Sequence, residues 1–75
     1  MRERVKAYFE QEVKWLRYRA AHGEDAAEVK IDELGLDALW KAFDDEDCTE
    51  ANEIGLKLMG LADVAMAEQI EEMIK

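Results

Sequence analysis

The sequence predicts an all-α fold, a small three- or four-helix bundle formed by a single domain of residues 1–75. Three observations carry that prediction. Proline is absent, glycine occurs only at Gly23, Gly35, Gly55 and Gly60, and the helix-favouring residues Ala, Glu, Leu, Lys and Met dominate. Apolar residues recur at i+3/i+4 spacing, most clearly at Val5, Phe9, Val13, Leu16 and Ala20. No run alternates apolar and polar residues beyond the short Val29-Lys30-Ile31 stretch, so strands have no support. The hydrophobic content of 49% is ordinary for a folded domain and too high for a disordered acidic tail.

The first helix is predicted over about Arg2 to Ala21, with Tyr8 and Trp15 along the edge of its apolar stripe and Tyr18 further round. Glu10 and Lys14 form an i,i+4 pair in the favourable order. Arg17, Arg19 and His22 complement the negative end of the helix, and Gly23 is placed to take the left-handed terminal conformation. In residues 24–44, Glu24, Asp25 and Glu28 suit a helix N-terminus. Val29, Leu36, Trp40 and Phe43 follow one stripe, whereas Ile31, Leu34 and Leu39 fall on other faces. Gly35 inside a helix would cost about 1 kcal/mol. The region therefore splits into a short helical turn and a helix over Ala38–Phe43 capped by Asp37, with one continuous helix from Asp25 to Asp44 as the alternative.

Asp44 to Asp47 read as a solvated connector of four adjacent acids, and Asp47 with Glu50 three residues on resembles a capping box. The helix it opens places Ile54, Leu58 and Leu61 on one side and breaks at Gly60 or Asp63. Met59, Ala62, Met66, Ile70 and Met73 then run at near-heptad spacing, a pattern shared by bundle cores and dimer seams.

Charge is distributed unevenly. Residues 1–20 hold six bases and three acids, net +3, whereas residues 21–75 hold four bases and sixteen acids, net −12. A net charge of −9 repels nucleic acid and anionic membrane and attracts basic protein surfaces. No apolar run approaches the ~20 residues of a membrane span, and the charged start Met1-Arg2-Glu3-Arg4 lacks an apolar signal core, so a cytoplasmic location, in a host or an infected cell, is expected.

Chemistry-bearing residues are few: one histidine, one cysteine and no serine. A single Cys48 excludes an intramolecular disulfide and a cysteine zinc site. The acid run does not make a calcium loop: counted from Asp45, position six is Glu50 and position twelve is Leu56, where glycine and glutamate are needed. His22 with Glu24 and Asp25 is a weak metal set better read as the neighbourhood of a helix end. The expectation is a protein with no catalytic residues, no metal and no cofactor.

The positive signal is the acidic surface. Glu28, Asp32, Glu33, Asp37, Asp44, Asp45, Glu46, Asp47 and Glu50 give nine acids against two bases. Acids spaced along a helix at ~1.5 Å rise per residue approach the charge density of duplex DNA, about one per 1.7 Å of axis. In size, helicity and acidity the chain resembles the small inhibitors encoded by phages and mobile elements, which include anti-CRISPR and anti-restriction proteins that mimic nucleic acid. The resemblance rests on composition and implies an inhibitor of a larger nucleic-acid-handling protein with a basic surface, with no binding residue carried over. The alternative is a helical interaction module, an assembly chaperone or regulatory homodimer, that binds through Met59, Met66, Ile70 and Met73 and through exposed aromatics.

Overall fold

The computed structural model describes all 75 residues and holds five helices and no strand: α1 (Glu3–His22), α2 (Glu24–Leu34), α3 (Leu36–Lys41), α4 (Asp45–Leu58) and α5 (Asp63–Ile74). The all-α bundle is thus the observed class. The axis of the molecule is α1. Its 20 residues rise about 30 Å, nearly the 33 Å long dimension of the protein, and each of the other four helices packs against it. The predicted stripe explains why: Val5, Phe9, Val13 and Leu16 are buried and form one core with Ala51, Ile54 and Leu58 of α4 and Ala67 and Ile70 of α5. Gly23 ends α1 at φ 89°, but its ψ of 173° is extended rather than left-handed helical.

Residues 24–41 form two helices, broken where expected. Gly35 adopts φ 68°, ψ 29°, a left-handed conformation that costs side-chain-bearing residues energy. The first segment is a full eleven-residue helix rather than a turn. The second begins at Leu36, so Asp37 lies in its first turn instead of capping it. Val29 does not join the core. Ala27 is buried and Lys30, Ile31 and Leu34 are half-buried, which fixes the inner face of α2 and leaves Val29 on the opposite side, 63% exposed. Trp15 docks α2 onto α1 by donating its Nε1–H to the Ala27 carbonyl at 2.7 Å. Tyr8 holds α3 in place through edge-on packing with Trp40 at 5.3 Å and Phe43 at 5.6 Å.

The capping box is real but sits three residues earlier than predicted. Asp44 is the N-cap, its carboxylate accepting from the Asp47 N–H at 2.8 Å, and Asp47 accepts from the Asp44 N–H at 3.1 Å. The four acids are therefore the N-cap and first turn of α4, not a connector. Acids suit that position because the helix N-terminus carries partial positive charge. Ala51, Ile54 and Leu58 form the buried stripe of α4, and Leu61 falls beyond the helix end, in the connection to α5.

Candidate protein-binding site

The structure divides the predicted acidic set in two. At one end of α4, Arg2 and Arg4 draw the acids inward. Asp47 is buried at 1% exposure and receives Arg2 Nε and Arg4 Nε, each at 2.6 Å. Asp44 pairs with Arg4 at 2.7 Å and with Arg2 at 3.4 Å, Glu46 pairs with Arg2 at 3.0 Å, and Glu50 accepts from the Arg2 backbone N–H at 2.8 Å. The hydrogen bond from Arg2, with further help from the Asp44 N–H and Arg4, holds the Asp47 carboxyl well below the usual carboxylate range despite its burial. Asp47 thus cannot meet a partner, and Asp44, Glu46 and Glu50 are already engaged; of the run, Asp45 alone stands exposed and unpaired. This is where part of the +3 of the first twenty residues goes. Much of the rest goes to Arg19, which lies 4.2 Å over the Trp15 ring and bonds Asp63 at 2.8 Å, and to Arg17, which pairs with Glu71.

The second group lies on α2 and α3. Glu28, Asp32 and Asp37 are exposed and form no ion pair, as are Glu24 and Asp25, while Glu33 is exposed and bonded to Lys30 at 2.9 Å. The methionine stripe is divided as well. Ile70 is fully buried in the core, and Met66 and Met73 are half-buried against it. Met59 is 74% exposed.

Met59 belongs to a different feature. The helices α3 and α4 both rest on α1 without closing over it, and between them lies an open groove of about 680 Å³. Tyr8, Phe9 and Glu12 of α1 form its floor, Trp40 one wall, and Gly55 and Leu56 of α4 with Met59 just after it the other, with Leu61 and Met66 at the end. Its rim is strongly apolar: Trp40 is 43% exposed, Leu56 69% and Leu61 38%. Large apolar side chains gathered around one hollow mark binding surfaces on small proteins far more often than scattered ones do.

Glu12 is the single charged residue lining the groove. It lies against Tyr8 one helical turn earlier, and burial pushes its carboxyl above the ordinary range although the Tyr8 hydroxyl and the charge of Arg19 pull the other way. Arg19 itself is committed to Asp63. Burial and the adjacent Glu12 charge also raise the Tyr8 phenol. The groove therefore offers an apolar trough with one negative charge at its base and no cation of its own.

Sequence reasoning placed Trp40 and Leu61 on helix stripes and did not single out Glu12, Gly55 or Leu56. The available signal was positional: Leu56 sits two residues after Ile54, on the side of α4 that a stripe through Ile54 and Leu58 leaves to solvent. His22 is exposed and stacks near Tyr18 at 4.4 Å, Cys48 is half-buried in α4, and no three His, Cys, Asp or Glu side chains converge in a metal-holding arrangement. No helix is long and apolar enough to cross a membrane. No protein-family model, curated protein or solved structure matches this chain.

Proposed function

We propose that this chain is a non-enzymatic protein-binding module whose partner presents a basic, amphipathic surface. The observation that carries the reading is the groove over α1, rimmed by exposed Trp40, Leu56, Met59 and Leu61. Covering those side chains removes apolar area from water, at roughly 25 cal/mol per Å². The charge of the partner follows from the −9 of the chain and from the lone carboxylate in the groove. Affinity capture from lysate with the chain as bait tests the reading. The Leu56→Glu/Met59→Glu double variant should lose the partner that the parent retains, and recovery of that partner by the folded variant would refute the reading.

A second reading has its own support. Glu24, Asp25, Glu28 and Asp32 are exposed and unpaired over eight residue steps of α2, a rise of about 12 Å. Their mean spacing of ~4 Å is comparable to the 3.4 Å spacing along one DNA strand. On this reading the chain inhibits a nucleic-acid-handling protein by filling its basic groove with α2, in the manner of anti-CRISPR and anti-restriction mimics. Reversal of Asp25, Glu28 and Asp32 to Lys separates the two: it abolishes capture here and leaves groove-mediated capture largely intact.

A further inference from the structure

Three of the four glycines sit at positive φ, where their lack of a side chain serves the backbone; Gly55 does not. It lies inside α4 with helical geometry, and a Cβ built on it meets nothing within 4 Å. A helix-interior glycine loses about 1 kcal/mol relative to alanine, and neither a turn nor a close contact within the chain accounts for accepting that. Gly55 instead faces the groove, one turn after Ala51, which also lines it. Small residues at such positions let a second backbone approach closely. Glu12 is the second misfit, a half-buried carboxylate in an apolar trough whose neighbouring base, Arg19, is committed to Asp63.

Resting on the module reading above, we infer that the groove is a seat for one amphipathic helix of a partner protein, packed closely against α4 at Gly55 and placing a Lys or Arg on Glu12. The apolar face of that helix covers Leu56, Met59, Leu61 and Trp40, in the helix-in-groove mode that reads i, i+3, i+4 and i+7 anchors. A second copy of this chain is disfavoured as occupant because it brings another −9 toward the first.

The probe is a synthetic helical peptide of about 18 residues, leucine on one face and lysine on the other, with an otherwise identical peptide bearing glutamate for lysine as control. Both are titrated calorimetrically into the full chain, its Gly55→Ala, Glu12→Gln and Leu56→Glu variants and the Asp25→Lys/Glu28→Lys/Asp32→Lys variant. Gly55→Ala is expected to melt at a higher temperature than the parent yet bind the lysine peptide about tenfold more weakly or worse, as a blocked anchor position does. Glu12→Gln should weaken it as well, whereas the α2 variant should retain most of the affinity. Equal binding by Gly55→Ala and the parent overturns the inference, as does equal binding of the two peptides. So does a dimer in light scattering that Leu56→Glu dissolves, since a second copy is then the occupant. If lysate capture is lost in Leu56→Glu/Met59→Glu but kept in Gly55→Ala, the close approach of a helix is wrong while the module reading stands.

Discussion

Replacing Ile70 and Met59 separately by alanine distinguishes a core from a seam. Ile70 has no exposed surface and is surrounded by the side chains of α1 and α4. Truncating a buried isoleucine to alanine costs about 2–5 kcal/mol through lost transfer energy and the cavity left behind. A domain of 75 residues has a total stability of about 4–11 kcal/mol, and each kcal/mol shifts the melting temperature of a domain of this size by about 4–8 °C. Ile70→Ala should therefore melt at least ~8 °C below the parent, and a polar residue there should prevent folding. Met59 is 74% exposed, so Met59→Ala should fall within about 0.5 kcal/mol of the parent, a shift below ~4 °C. Circular dichroism melts at neutral pH, with light scattering on the same samples, provide the readout. If Ile70→Ala melted like the parent while dissociating a dimer, Ile70 would lie between copies and the packing argument would fail.

Three other perturbations follow from the charges. Asp47 has a depressed folded pKa, so its contribution to stability is fully present above the unfolded aspartate value of about 3.9 and is lost as pH falls through the folded value. Asp47→Asn should accordingly lower the melting temperature at pH 7, and the gap to the parent should narrow below about pH 4; a constant gap would show that the loss is not one of charge. Glu12 runs the opposite way. Its folded pKa is raised, chiefly by burial, so the folded state binds the proton more tightly and stability falls as pH rises from about 4.3, the unfolded value, through the folded one. Glu12→Gln should thus be more stable than the parent at pH 7, with the advantage shrinking toward pH 4, and a destabilised Glu12→Gln would mean that its bonds to neighbours outweigh its burial. Moderate NaCl should raise the melting temperature of the parent, because the unpaired acids of α2 repel one another and salt screens them; a falling melt would give the arginine pairs the larger weight.

The parts of the fold legible in the sequence are those set by periodicity. Val5, Phe9, Val13 and Leu16 predicted α1 and its buried face, and Gly35 predicted the break between α2 and α3. What the sequence did not reveal depends on pairings distant along the chain. Arg2 and Arg4 are forty or more residues from Asp44 and Asp47, and only packing α4 against the start of α1 makes them partners. Local reasoning therefore assigned four adjacent acids to solvent, when two arginines supply the compensating charge and a helix N-terminus supplies the rest. The methionine stripe is divided for a related reason. The chain turns at Gly60, φ 82°, so Met59 ends α4 while Met66 lies on α5.

The groove was hidden because it is a gap rather than a pattern. Its floor is the Tyr8–Glu12 edge of α1, beside the buried stripe through Val5, Phe9 and Val13. Its walls come from two helices that share α1 but diverge above it. What marks the groove as more than incomplete packing is the kind of residue found there. A fold optimised for itself would place alanine at position 55, glutamine or an apolar residue at position 12 and a polar residue at position 56. Gly55, Glu12 and the exposed Leu56 each depart from that choice, and all three line the same hollow. Departures from local consistency that converge on one site are the expected trace of binding, because a partner gains there what the isolated chain gives up. A charge that served only to keep the chain in solution would explain the acids of α2, but it would account for none of these three residues.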